Sequence, residues 1–272
     1  MRAHPQHATT PRHPAAPWRW AAAGALLGAL LSTVVYAPAR WLAQGLAQAS
    51  DARVQLRQAQ GTVWQGSAQL VLGAGSGSQA HTALPGRVQW QLRPSLRGLQ
   101  LALQAPCCLK QDWVWTATPG FTGVQLVLSD QPAAQPSVWP SALLAGLGTP
   151  WNTLQLQGAL ALSTQQLTLL WHSGDWSLAG RAQLDATGLS SSLSTLKPMG
   201  SYRLGLTGGP SPTLDLSTLE GSLRLSGSGR WVGGQLRFEG EASAAPERAD
   251  ALGNLLNIIG RREGARSIIK VG

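Results

Sequence analysis

Beyond residue 50, few side chains can do acid–base, nucleophilic or metal chemistry. The histidines there are His81 and His172, and Asp175 lies three residues after His172. A His–Asp pair is part of a hydrolytic triad, which needs an activated Ser to complete it. The G-x-S-x-G spacing of a nucleophile elbow is approached at Gly73-x-Gly75-Ser76-Gly77 and at Gly227-Ser228-Gly229, and neither has the required spacing. Asp112, Asp130, Asp175, Asp185, Asp215, Glu220, Glu239 and Glu241 are scattered and form no paired-carboxylate motif. They read as surface charges and turn residues. There is no phosphate-binding loop, zinc spacing or dinucleotide fingerprint. No catalytic residue, metal ligand or cofactor is expected, and a hydrolase is the weakest reading. Only a pocket gathering His81 or His172 with acids would raise it.

Cys107-Cys108, after Pro106, is the one chemically unusual pair. In an oxidising compartment the two sulfurs can close on each other, or one can pair with another chain. A bond between neighbours staples nothing distant. The alternative is two small apolar residues at a turn, and the sequence favours that slightly. A redox role would need an exposed thiolate of low pKa.

What must position these residues begins with Trp20 to Ala39, WAAAGALLGALLSTVVYAPA, which lies between Arg19 and Arg40 without a charge. About 20 residues at about 1.5 Å each span roughly 30 Å, the hydrocarbon thickness of a bilayer. Trp20, Leu26, Leu27, Leu30, Leu31, Val34, Val35 and Tyr36 are the expected membrane anchor, with Trp18 and Trp41 also placed for the headgroup level. Arg2, Arg12 and Arg19 precede it and the first acid is Asp51, which keeps the N-terminus cytoplasmic. A cleaved signal peptide is the competing reading, because Ala37-Pro38-Ala39 has the small-x-small form of a cleavage site. Span length, and an apparent continuation of the helix into WLAQGLAQAS with Leu42, Leu46 and Ala49 on one face, favour the uncleaved anchor. Residues 1–17 read as a disordered cytoplasmic tail in which His4, His7 and His13 have no Cys or carboxylate beside them. Residues 18–50 read as the anchor and a juxtamembrane helix, and residues 51–272 as an exported, periplasmic β-rich domain.

The formal charge of +9 arises from scattered Arg, with 21 Lys+Arg against 12 Asp+Glu. No basic block is interleaved with aromatics, so nucleic acid is excluded as a partner. Leu-x-Leu alternation with nearby Gly recurs along the domain: Val54 and Leu56; Ala68, Leu70 and Leu72; Val88, Trp90 and Leu92; Leu99, Leu101 and Leu103; Leu154 to Leu162 around Gly158; Tyr202, Leu204 and Leu206; and Leu219 to Ala242. The fold class is therefore mainly β, a strongly twisted, mostly antiparallel sheet with Gly-marked bends. A short helix is expected over Trp139 to Leu147, a turn of helix over Ser190 to Leu196, and a restart of the sheet at Pro150-Trp151-Asn152. Leu167 to Trp171 and Trp176 to Leu184 continue the meander. No repeat is sharp enough for a propeller or solenoid.

At the C-terminus the period changes. Leu252, Leu255, Leu256 and Ile259 fall at i, i+3, i+4 and i+7 of an amphipathic helix opened by Pro246 and capped by Gly260. Arg261 to Gly264 is a charged turn, and residues 265–271 form a last strand. The helix is expected to cover an open face of the sheet. The competing use is docking, with Arg261, Arg262, Arg266 and Lys270 as a candidate interaction surface steering it to an acidic partner or headgroups.

Several blocks, in order, resemble the type II secretion system protein N family. They are Ala59-Gln60-Gly61-Thr62-Val63-Trp64-Gln65-Gly66-Ser67-Ala68, Leu84-Pro85-Gly86-Arg87-Val88-Gln89-Trp90, Leu144 to Gly158, Lys197-Pro198-Met199-Gly200-Ser201-Tyr202-Arg203, Ala244-Ala245-Pro246-Glu247 and Leu255 to Arg261. The resemblance implies a non-enzymatic, single-pass, bacterial inner-membrane protein, mostly periplasmic. It would be an accessory part of the machine that moves folded proteins across the outer membrane, and its partners would be inner-membrane platform subunits. Cys107-Cys108 maps to no family feature. The alternative is an AsmA-like periplasmic lipid-binding module, since a curled sheet lined by Leu can hold an acyl chain. A cleft continuously lined by Leu and Trp would favour lipid, and a filled core would favour a scaffold.

Overall fold

The computed structural model describes residues 18–78, 80–96 and 98–272. The expectations for the tail, including His4, His7 and His13, lie outside the described residues. The chain divides into two units, residues 1–37 and residues 38–272.

The described part of the first unit is helix α1, Trp18–Val35, with none of its residues buried. Its 18 residues have a mean hydropathy of 1.3 and are long and apolar enough to cross a membrane. The sequence reading carried this helix through Ala39 and onward, and the structure ends it at Val35. Pro38 is the reason: it has no N–H to give to a helix and disfavours helical backbone in the residue before it. A second helix, α2, Ala39–Ala49, then starts inside the other unit. Ala39 is only 1% exposed and packs with Ala68 and Trp90, so it belongs to the β unit and not to the span. Helix continuity thus gives no support to an uncleaved anchor, which rests on the length and composition of α1.

In the second unit the strands are β1 Val54–Gly61, β2 Gln65–Gly73, β3 His81–Ala83, β4 Val88–Ser95, β5 Gly98–Gln104, β6 Trp113–Pro119, β7 Gly123–Leu128 and β8 Ser137–Pro140, followed by β9 Gln157–His172, β10 Asp175–Ser190, β11 Gly200–Gly209, β12 Thr213–Gly221, β13 Leu223–Val232, β14 Gln235–Ala244, β15 Arg261–Glu263 and β16 Arg266–Val271. They make one 16-stranded sheet in the order β1-β2-β4-β5-β6-β7-β9-β10-β11-β12-β13-β14-β16-β15, with β3 added to β2 and β8 to β9. Every pairing is antiparallel.

Alternation in the sequence becomes two chemically distinct faces, because residues directly opposite one another share a face. Leu162, Leu184, Leu204 and Leu216 stand opposite in turn across β9 to β12, and the row continues through Gly227, Gly240 and Ile269. One residue along, on the other face, Ser163, Gln183, Gly205, Asp215, Ser228, Glu239 and Lys270 make a polar row. The glycines of the apolar row have a packing reason: a Cβ on Gly227 would lie 2.5 Å from the Phe238 ring and one on Gly240 2.9 Å from it. Phe238 is thereby buried over a glycine track. Register shifts break the ladders between Arg57 and Gln60 and between Ala179 and Arg181. Such bulges bend the strand and add twist.

Elsewhere the local structure departs from expectation for identifiable reasons. Residues 141–147 form a 3-10 helix after β8, ended by Gly148 at φ +86°. At Trp151–Leu154 the chain makes one helical turn, α3, and the sheet resumes only at Gln157. The segment 191–199 has no helix: Ser191 and Ser194 accept hydrogen bonds from the N–H groups of Leu193 and Leu196, the local alternative these side chains offer to a helix. β9 and β10 are one 16-residue hairpin on each side of Ser173-Gly174, not separate short strands. Gly260 does not cap by a left-handed conformation; it is extended, at φ −162°, and enters β15.

The core lies where elements cover the apolar face. Near the ends of β10 to β14, α4 (Ala249–Ile259) buries Leu252, Leu255 and Leu256 with Leu154, Leu156, Leu189, Met199, Tyr202, Leu223 and Ala242. Leu84, Val88, Ala105, Cys108 and Leu143 form a second cluster. α2 covers the third, with Leu42 against Leu56, Ala59, Ala68 and Trp90.

Candidate interaction surfaces

α4 is placed by its apolar stripe and fixed by hydroxyl groups. Leu252, Leu255 and Leu256 are at most 1% exposed. Ser267 donates to the Leu256 carbonyl at 2.7 Å and Ser194 to that of Ala251 at 3.1 Å. Beneath the helix, the Tyr202 hydroxyl donates to the Leu223 carbonyl at 3.1 Å, and burial pushes its phenol pKa up. The apolar face of α4 is thus turned inward, leaving Asn254, Asn257 and Ile258 exposed.

The four C-terminal cations do not share one surface. In the β14–β16 register, Arg266 and Lys270 share the polar face, beside Glu241 and Glu239. Arg266 bonds Glu241 at 3.3 Å and Lys270 meets Glu239 at 3.1 Å. Arg261, opposite Ile268, is on that face too, whereas Arg262, opposite Ser267, is on the other and donates to the Gly264 carbonyl. A better-defined ion pair lies mid-sheet. Arg203 holds Asp185 through two bonds of 2.8 Å. That hydrogen bonding first, and the attraction of the guanidinium charge, hold the Asp185 carboxyl below its ordinary pKa against an opposing desolvation.

His81 lies in β3 and His172 at the far end of β9, so the two histidines are not brought together. The His172 ring nitrogen Nδ1 is 3.1 Å from the Thr122 hydroxyl, and Asp175 stands opposite His172 across the hairpin. Among the described residues no group of three or more His, Cys, Asp and Glu could hold a metal ion. Cys107 and Cys108 are joined by a disulfide. The slightly favoured reading of two small apolar residues at a turn is thus replaced by the vicinal bond; Cys108 is buried beside Leu84, Val88 and Leu143, while Cys107 is exposed.

Sequence reasoning missed the hairpin tips. In an antiparallel meander alternate turns fall at one end of the sheet, and here that end carries the turn at 62–64, Leu96 after β4, and the turns at 120–122, 173–174, 210–212 and 233–234. Leu96 and Phe121 are fully exposed, and Trp176 (61%) and Trp171 (40%) stand out at the β9–β10 tip with ring centroids 6.3 Å apart. Neighbouring tips touch: Ser173 N–H donates to the Thr122 carbonyl at 3.3 Å. Their signal is one large apolar residue among turn-formers, Pro94-Ser95-Leu96 and Pro119-Gly120-Phe121-Thr122-Gly123. The β unit also receives the chain at this end. Pro38 bridges to Thr62 in the β1–β2 turn, and α2 runs back along β1 until the Ser50 hydroxyl bonds the Val54 backbone.

Compared with known proteins, residues 52–269 match the family model of the type II secretion system (T2SS), protein N. No curated protein and no solved structure matches the chain.

Proposed function

Since the chain belongs to the type II secretion system protein N family, and is therefore a type II secretion component, we propose that it is an accessory subunit of the inner membrane. In this reading α1 spans that membrane, the N-terminus is cytoplasmic and the β unit works in the periplasm by protein–protein contact, without chemistry of its own. The platform subunits of the same membrane are its partners. The observation that carries the reading is the extent of the match: it runs from Ala52, after α2, to Ile269 in β16 and so takes in α4 and all of the sheet but the last two residues of β16. A covered, filled core under α4 supports a rigid scaffold. The test is deletion and complementation with cross-linking in intact cells. The full chain should restore exoproteins to the culture medium and cross-link to platform subunits. Undiminished secretion in the deletion strain, with no cross-links, would refute the role.

A lipid-binding reading is kept for one observation, the continuous Leu row across β9 to β12. Mass spectrometry of lipid extracted from the purified chain tests it. A stoichiometric phospholipid supports an acyl-chain site, and none in a folded preparation removes it.

A further inference from the structure

We propose that the hairpin-tip end of the sheet rests on the surface of the bilayer that α1 spans, with Leu96, Phe121, Trp171 and Trp176 in the headgroup layer of an anionic phospholipid surface. The proposal rests on the reading of α1 as a membrane anchor and adds to it an orientation and a second contact.

Chain connectivity carries the argument. Only Tyr36 and Ala37 lie between the end of α1 and Pro38. Three peptide steps reach at most about 10 Å, so the membrane boundary lies within that distance of Pro38. Pro38 bridges to Thr62, at the tip end of the sheet and not at the end covered by α4. From the same turn, the Trp64 carbonyl accepts from Leu92 N–H, and β4 goes on past that level to its tip at Leu96. Four strand residues at about 3.3 Å rise carry that tip roughly 13 Å further, which matches the reach of the linker. With so short a linker, this end of the sheet is the one within reach of the headgroup layer.

Their chemistry suits that place. Two Trp, one Phe and one Leu are exposed on neighbouring tight turns, and aromatic side chains partition to the headgroup level. Arg40 at the start of α2 and Arg93, three residues before Leu96, are exposed cations. Along the same end, Arg230 stands directly opposite Arg237, a like-charge pair that an anionic headgroup would relieve. A protein partner has no such tie to the point where the chain joins the sheet.

The test uses the full chain in vesicles of phosphatidylethanolamine and phosphatidylglycerol. Cys107→Ser and Cys108→Ser provide the background for single labels at Phe121→Cys, Trp176→Cys and, on the outer face of α4, Asn257→Cys, each carrying an environment-sensitive fluorophore. Labels at 121 and 176 should shift to the blue and be quenched by spin-labelled lipid several-fold more than the label at 257. All three equally wet, in chain that resists an alkaline wash, would overturn the proposal and leave the anchor standing. Chain stripped by the wash would overturn both. Tip labels wet in lipid, but shielded in cells only when other secretion components are present, would overturn it in favour of a protein partner. With the native cysteines kept, hydrogen exchange at 119–123 and 171–176 reads the same contact. It should be slower than in Phe121→Asp/Trp176→Asp chain in the same vesicles, and equal exchange in the two would overturn the proposal.

Discussion

The two ends of the β9–β10 hairpin are treated in opposite ways. At one end Leu160 and Leu189 are buried at 7% and 8%, and Leu189 packs in the core that α4 closes. At the other, beside a Ser-Gly turn, Trp171 and Trp176 remain 40% and 61% exposed with their rings 6.3 Å apart. Both ends are apolar in composition, so hydrophobicity alone does not say what a residue is for. Position in the tertiary structure does: one end is spent on stability and the other is left for contact.

Leu256→Ala breaks this contrast most severely. The side chain is fully buried, and a Leu-to-Ala truncation in such a core costs about 2–5 kcal/mol. At about 2–4 °C per kcal/mol for a unit of this size, calorimetry should show a clear fall in melting temperature. If the melting temperature holds while co-purification with platform subunits is lost, α4 is an interface and not a lid. Gly66→Ala should come next. Its Cβ would meet the Trp90 ring at 2.5 Å, and Trp90 is fixed by its indole N–H bond to the Val63 carbonyl. Overpacking of this kind costs about 1–3 kcal/mol, readable by urea denaturation.

Asp185→Asn should have a smaller effect, under about 1 kcal/mol near neutral pH, because the Arg203 side chain is 43% exposed and solvent screens the pair. The folded-state pKa is depressed, so the contribution is present above the unfolded carboxylate value of about 3.9 and is lost as pH falls through the folded value. The variant should therefore show a flatter loss of stability below about pH 4, measured as denaturation midpoint against pH. Cys107→Ser with Cys108→Ser should change stability still less, since adjacent residues close almost no loop; loss of secretion at normal protein level would instead assign the pair a functional role. Trp176→Ala at the tip should fall within about 0.5 kcal/mol of the parent, as exposed positions do. A large loss there would show that the tip is structural and erase the difference between the two ends.

Much of this was legible in the sequence. Period-two alternation in β1, β2, β4, β5 and β11 announced strands, and the i, i+3, i+4, i+7 stripe announced α4, because both patterns are local consequences of backbone geometry. The lid residues could be named for the same reason. The break after α1 was also written locally, in Pro38, but the apolar run on either side outweighed it. The hairpin tips were not found, because Leu96 and Phe121 are single residues outside any period.

By itself, then, the sequence determined an apolar helix, an antiparallel β unit with one apolar and one polar face, and a C-terminal helix with a buried stripe. The tertiary structure alone decided that Ala39 belongs to the sheet and not to the span, that Arg262 parts from Arg261, Arg266 and Lys270, and that Leu96, Phe121, Trp171 and Trp176 come to one end. Those outcomes depend on strand order and register, which pair residues far apart in the chain, and one residue of register moves every side chain to the opposite face.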